Sequence, residues 1–306
     1  MLSLRNVSRS FGTRRVVDDV SFDVGRGRLT GFVGGNGAGK TTTMRMILGV
    51  LRPDAGEITL DGGPVDQGAL HGFGYMPEER GLYPKMEIGE QLTYLARLHG
   101  IDKTTATKRA DDLLERLGLI ERRRDKLEAL SLGNQQRVQV AAALVHDPDV
   151  LIMDEPFSGL DPLAVDEVVA VIAEHAAKGV PVLFSSHQLD VVERLCDDLV
   201  IIAGGQVRAA GEREALRQQY SGNLWSLETS ADAGWVRGIP NVRVEELAGT
   251  TVLFDAEPAA ADAVLRAAVE RGTVRSFHPV RPTLGKIFRD IVVDAPRGDE
   301  EKGAAA

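Results

Sequence analysis

At 306 residues the chain exceeds the length at which one hydrophobic core usually stops growing, so a main domain with a smaller companion is expected. A net charge of −9 argues against a protein that coats nucleic acid, and no stretch approaches the roughly 20 apolar residues of a membrane helix, so a cytoplasmic chain whose membrane link runs through a partner is expected. The single cysteine, Cys196 in RLCDDLVII, excludes an internal disulfide framework and reads as a core residue.

MLSLRNVSRSFG lacks the apolar run of a signal peptide. LSLRNVS, VVDDVSFDV, RLTGFVG and GEITLDG read as strands separated by Gly, Asp and Pro turns. After Gly39 the sequence turns helical, with Met44, Ile47, Leu48 and Leu51 on one face, and RPDAG closes the helix. Glu87 to about Lys126 is mostly helical, carrying EQLTYLARLHG and KRADDLLERLGL. DVLIMDEP and PVLFSSHQ restore strands, and their unbroken apolar runs, Val150 to Met153 and Val182 to Phe184, require cover on both faces. This pattern predicts an α/β domain over 1–218 with a helical subdomain at about 87–146. From there NLWSLETS, VRVEEL and TTVLFDA read as short strands, PAAADAVLRAAVERG and LGKIFRDIVV as helices, giving a small α+β domain over 219–295. The charged, small-residue ending 296–306 predicts disorder.

Three buried strands end in residues able to touch a ligand, the edge at which open α/β sheets bind. In VGGNGAGKTT, Gly34, Gly37, Gly39, Lys40 and Thr41 fit the G-x-x-x-x-G-K-[ST] phosphate loop in its strand-to-helix setting. Residues Gly34, Gly35, Asn36, Gly37, Ala38 and Gly39 offer backbone N–H groups as an anion nest; Lys40 reaches the β- and γ-phosphates, and Thr41, followed by Thr42, brings a hydroxyl to Mg²⁺. A nucleoside triphosphate is the predicted ligand. Asp154 and Glu155 follow the second strand, the first suited to hold Mg²⁺ through water and the second to orient or deprotonate an attacking water.

LSLGNQQRVQVAAALV has no counterpart in simple P-loop kinases or GTPases. With Leu130, Ser131, Gly133, Gln136 and Arg137 in L-S-x-G-x-x-Q-R, it resembles the signature motif of ATP-binding cassette (ABC) ATPases. The resemblance spans roughly residues 1–215 and extends, in the family's order, to Phe11 where an aromatic stacks on adenine, SGLD at Ser158 to Asp161, and His187 after the last central strand. It implies a P-loop cassette with an antiparallel β subdomain and a helical subdomain, ATP and Mg²⁺ as cofactors, and a head-to-tail homodimer burying two ATP molecules. Ser131, Gly133 and Asn134 begin a helix whose inner face is Val138, Ala141, Ala142 and Val145; its free N–H groups form a second anion site, which the helical insert keeps from the phosphate loop of the same copy. Capping is compatible with this use: Ser131 also reads as a helix N-cap, and Asp161 before Pro162 does too. Phe11 taken alone reads more often as core than as an adenine platform, and only its position marks it for adenine. Of the six histidines only His187 faces the predicted site, where it would donate to the γ-phosphate.

Two departures stand out. Glu78 in GYMPEERGLYP replaces a glutamine common in the family, leaving three readings: a Mg²⁺ ligand, a protonated acid, or a side chain that swings away until closure; metal contact is the working hypothesis. The signature also departs, with Leu132 for the usual glycine and Asn134 for the usual glutamine; Leu132 is expected to pack sideways, since Ser131 and Gly133 keep the phosphate-facing roles. YMPEERGLYP, LSLGNQQR and the ending PTLGKIF resemble the export-type subfamily that includes antibiotic-resistance and sodium-extrusion ATPases, which implies a separate integral membrane permease and a location on the inner face of the cell membrane. Arg80 to Met86 reads either as its docking surface or as a helix-packing loop. The competing class is a non-transport ABC ATPase acting on ribosomes or DNA. The C-terminal domain is expected to support the dimer, with regulation and permease binding as alternatives.

Overall fold

Leu2–Phe11 (β1) and Arg14–Val24 (β2) pair antiparallel around a turn in which Gly12 takes φ 59°, and Val20, Phe22 and Val24 alternate inward as a half-covered strand requires. The next strand, Leu29–Val33 (β3), is buried at every position. The computed structural model describes residues 1–79, 81–220, 223–280 and 283–293. These divide into two compact units, Met1–Arg213 with the described residues from Ile291, and Glu214–Asp290.

In the first unit Lys40–Ile47 (α1) follows β3 and buries Met44 and Ile47. Gly49, left-handed at φ 67°, ends this helix, and the N–H groups of Val50 and Leu51 close on the Arg45 carbonyl. Leu51 therefore lies beyond the helix, earlier than the predicted stop at RPDAG. Ala55–Leu60 (β4) and Gly63–Pro64 (β5) complete an antiparallel sheet ordered β2-β1-β4-β5. Gln67–Leu70 (α2) leads to Phe73–Met76 (β6).

The helical insert consists of Ile88–Leu98 (α3) and Lys103–Arg116 (α4), followed by single 3₁₀ turns at Ile120–Arg122 and Leu127–Ala129, and then Leu132–Leu144 (α5). Asp102 caps α4 by accepting from the N–H groups of Thr104 and Thr105. Val150–Met153 (β7), Pro162–Ala177 (α6), Val182–Ser186 (β8), Leu189–Leu195 (α7), Asp198–Ala203 (β9) and Gln206–Glu212 (β10) complete a six-stranded sheet, order β10-β9-β3-β8-β7-β6. The pairs β3–β9, β3–β8, β8–β7 and β7–β6 are parallel. Parallel register sets Val33 beside Ser186, Met153 beside Phe184 and Met76 beside Met153, so four strands end along one edge. Phe32, Ile152, Leu183 and Val200 join Leu4, Met44 and Phe22 in one core beneath that edge.

Arg213–Gln219 (α8) precedes the second unit's sheet, built from Leu224–Thr229 (β11), Arg243–Ala248 (β12), Thr251–Asp255 (β13) and Val274–Pro279 (β14), all antiparallel in the order β12-β13-β11-β14. Pro258–Arg271 (α9) places Ala261, Val264 and Ala268 in a core with Leu227, Val252 and Phe254. Trp225 stacks on Phe277 with ring centroids 5.1 Å apart. The last described helix is Leu284–Val293 (α10). The predicted disordered tail, 296–306, lies outside the described residues.

Candidate functional site

The loop from Gly34 to Gly39 leaves the buried end of β3 and enters α1 through left-handed glycines, Gly37 at φ 74° and Gly39 at φ 106°. Side chains are excluded at its base: a Cβ on Gly34 would stand 2.6 Å from the Ile202 carbonyl oxygen, and one on Gly39 2.8 Å from that of Val16. At the crest, Gly35 and Gly37 have open space around them, and Asn36 is exposed. The result is a bare backbone concavity that narrows to a fixed base. Ala38 is buried beneath the crest and Thr42 half-buried behind it. Lys40 turns back over the loop, its Nζ donating to the carbonyls of Gly34 at 2.7 Å and Gly35 at 3.2 Å.

Thr41 Oγ1 donates to Asp154 Oδ2 at 2.8 Å, which ties the start of α1 to the end of β7. Asp154 is 1% exposed, and its other oxygen accepts from Ser185 Oγ at 2.5 Å. Ser185 in turn accepts from the Glu155 backbone N–H at 2.9 Å. One buried hydroxyl from β8 thereby holds both acidic residues, a part that the residue pattern SSH signals only through its place at a strand end. Thr41 and Asp154 are hard oxygen donors that suit Mg²⁺, a cation that draws its other ligands from phosphate and water.

Glu155 adopts φ 52°, a left-handed backbone that costs a non-glycine residue about 1–3 kcal/mol and concentrates at functional sites. Its side chain turns along the sheet edge to bring Oε2 within 2.9 Å of His187 Nδ1, while His187 remains 59% exposed. Gln136 from α5 donates to the Glu155 and Pro156 carbonyls at 3.0 and 3.1 Å, fixing the strained turn from the other side.

Glu78 is exposed two residues after β6, at the same sheet edge. Gln139, buried on α5, donates to the carbonyls on either side of it, Pro77 and Glu79. Tyr75 is held above its ordinary titration range, chiefly by burial and then by the charge of Asp154; Arg45 opposes the shift and Glu78 adds to it. Sequence reasoning passed over Tyr75, Arg45 and Gln139 because a lone polar residue within an apolar pattern carries no spacing signal.

Ser131 caps α5, accepting from the Asn134 N–H at 3.3 Å. Gly133 packs against the SGLD segment: a Cβ there would sit 3.3 Å from the Gly159 carbonyl oxygen. Asp161 caps α6 by accepting from the Ala164 N–H at 2.9 Å. Val138, Ala141 and Val145 are buried as expected, but Ala142 is only half-buried, and Gln136 and Gln139 share the interior with them. The expectation that Leu132 packs sideways fails: its side chain is 61% exposed, because the first turn of α5 projects past the segment that Gly133 touches. Phe11 is 47% exposed at the end of β1, with the Arg9 guanidinium 5.1 Å from its ring centre, so it belongs to the surface and not to the core.

Three other histidines do more than sequence suggested. His71, His99 and His146 form a row: His99 stacks on His146 with centroids 3.8 Å apart, and His71 lies tilted by 36° against His99 at 4.9 Å. Cys196 is buried and its thiol pushed up to about 12, which leaves it unreactive.

Comparison with known proteins matches the family profile "ABC transporter" to residues 17–158 and "ATP-binding protein DrrA1-3-like, C-terminal domain" to residues 211–292. An uncharacterized ABC transporter ATP-binding protein of Bacillus subtilis, YhaQ, is 37% identical over 293 residues, spanning 95% of this chain and 98% of the relative. The linearmycin resistance ATP-binding protein LnrL of the same species is 36% identical over 226 residues, 73% of each chain. A Nod factor export ATP-binding protein of Ralstonia nicotianae is 38% identical over 219 residues, 71% of this chain and 68% of its own. Among solved structures, an ATP-binding subunit of an ABC transporter superposes with a TM-score of 0.67 at 34% identity, covering 72% of this chain and 93% of that one.

Proposed function

We propose, from the premise that this chain belongs to the ABC transporter ATP-binding proteins, that two copies clamp two ATP molecules between them and use their hydrolysis to drive a separate membrane permease in the direction of export. Its activity is that of an ATP-binding and ATP-hydrolysing transporter subunit. The observation that carries the mechanism is the convergence of Thr41, Asp154, Ser185, Glu155 and His187 on one sheet edge beside the glycine loop.

The loop N–H groups and Lys40, released from the Gly34 and Gly35 carbonyls, bind the phosphates. Phe11, exposed at its strand end, offers a face for adenine. Thr41 and Asp154 would hold Mg²⁺, which would supply neutralisation of phosphate charge and so ease the departure of ADP. Glu155 orients water and accepts its proton through Oε2, and His187 stabilises charge on the γ-phosphate oxygens. Glu78, exposed at the same sheet edge, would offer a further carboxylate to the metal. Ser131, Gly133 and Asn134 of one copy, with its Asp161 loop, meet the nucleotide of the other.

Export is supported by the names of the relatives and by the second matched domain. For the permease we propose the groove of about 310 Å³ lined by Tyr75, Leu82, Leu95, His99 and His146, with the adjoining Tyr83 to Met86; Arg80, the first residue of the sequence-predicted surface, lies outside the described residues. No described helix is long and apolar enough to cross a membrane. In the reading proposed, residues 1–218 are the motor at the inner membrane face and 219–295 support the dimer. Purification from membranes with an integral membrane protein, plus Mg²⁺-dependent phosphate release that falls at least 10²-fold in Glu155→Gln while ATP binding persists, is the expected result. Recovery with ribosomes or DNA, or full turnover in that variant, overturns the proposal.

A further inference from the structure

Phe11 presents a ring at the end of β1 with one face already taken. The Arg9 guanidinium lies over it, 5.1 Å from the ring centre, so the 47% exposure of Phe11 belongs to the opposite face and the rim. Arg9 is itself held in place: it donates to Asp54 Oδ1 at 2.6 Å and to the Arg52 carbonyl at 3.1 Å, and its side chain is only 26% exposed. The other Asp54 oxygen accepts from the Ser10 N–H at 2.7 Å, and the Asp54 N–H donates to the Ser8 carbonyl at 2.8 Å. One aspartate thus clamps both the backbone just before Phe11 and the cation that covers Phe11. Arg9 Nε is buried with no hydrogen-bond acceptor among the described residues, and the electron-rich face of Phe11 borders the same guanidinium.

We infer that Arg9 is a positioning residue for the nucleotide base: with Asp54 it fixes the Phe11 ring before ATP arrives and leaves one face of that ring for a purine. The hairpin lies where a base would lie. Val17, opposite Arg9 on β2, has its side chain 3.3 Å from the Cβ that Gly39 lacks, and the Val16 carbonyl oxygen is 2.8 Å from the same point, so β2 borders the base of the phosphate loop. Phe11 pairs with Arg14, two residues before Val16 and therefore about 7 Å farther along the strand, which leaves room for a ribose between phosphates and ring. A guanidinium is planar and permanently charged, so it matches a ring face in shape as well as in charge. Without it, an exposed phenyl ring would have to be ordered by the nucleotide itself. A ring already held spares that cost, so Arg9 acts on the affinity for the base and not on the reacting phosphate.

This rests on the reading of Phe11 as the adenine platform, and the two fail separately. ATP and inorganic tripolyphosphate, which keeps the charge but has no base, are each titrated calorimetrically against the full chain without Mg²⁺, where ATP is not turned over. Arg9→Leu should raise the ATP dissociation constant about 3- to 10-fold and leave that of tripolyphosphate unchanged. Phe11→Ala should raise the ATP constant about 10- to 100-fold. Adding Arg9→Leu to Phe11→Ala should weaken ATP binding no further, because the cation then has no ring to hold. Unchanged ATP affinity in Arg9→Leu, additive losses in the double variant, or equal losses for ATP and tripolyphosphate each overturn the role of Arg9 while leaving the platform intact. Parental ATP affinity in Phe11→Ala overturns both.

Discussion

The Glu155 carboxylate and the His187 imidazole meet at 2.9 Å across the ends of adjacent strands, one side chain nearly buried and the other open to solvent. Burial holds the acid in place through Ser185 and Gln136, while the histidine is free to move toward a bound phosphate. His187→Ala should therefore lower kcat about 10- to 10³-fold with the ATP dissociation constant within a few-fold of the parent. Single-turnover hydrolysis and equilibrium binding measure the two quantities; weakened binding with unchanged kcat would assign His187 to ground-state grip alone.

The phosphate loop separates folding from binding within two neighbouring glycines. Gly34→Ala drives a methyl group to 2.6 Å from the Ile202 carbonyl oxygen, so it should destabilise the fold by about 1–3 kcal/mol in urea denaturation. Gly35→Ala meets open space and should leave the urea midpoint unchanged. Equal midpoints for the two variants would show that the base of the loop yields more readily than its contacts imply.

The glycine spacing, the acidic pair and the signature segment were legible because each is a local pattern with a local cause: bare backbone for an anion, carboxylates at a strand end, a cap before a helix. Apolar runs also announced β3, β7 and β8. Ser185 was not legible as the link between Asp154 and Glu155, since that role arises only when β8 is set beside β7. Likewise His71, His99 and His146 are far apart in sequence and meet only where the ends of α2, α3 and α5 converge. Leu132 was not legible either: assigning the phosphate-facing roles to Ser131 and Gly133 suggests a sideways packing that its 61% exposure does not show.

Ser185→Ala should cost stability and metal response together. Its hydroxyl is fully buried, donating to Asp154 and accepting from Glu155, so removal leaves a buried N–H and a carboxylate oxygen each without a partner. The expected loss is about 1–3 kcal/mol in urea unfolding. The Mg²⁺ concentration for half-maximal ATPase should rise several-fold, because Asp154 loses the bond that aims it at Thr41. Stability lost with an unchanged Mg²⁺ requirement would make Ser185 purely architectural.

The histidine row makes stability acid-sensitive. Burial, followed by the neighbouring charge of His99, lowers His146 to about 4, and burial lowers His99 as well. Both groups titrate below the ordinary histidine value of about 6.5 in the folded chain, so as pH falls the unfolded chain takes up protons first. Their effect is absent above about pH 6.5, grows as pH drops toward about 4, and is destabilising throughout that window. Partial exposure of His146 reduces the size to about 1–2 kcal/mol. Urea unfolding of the parent and of His146→Asn across this range measures it: the variant should lose less stability on acidification. Parallel pH profiles would assign the acid sensitivity to other groups, the buried His175 first among them, since burial depresses its titration too.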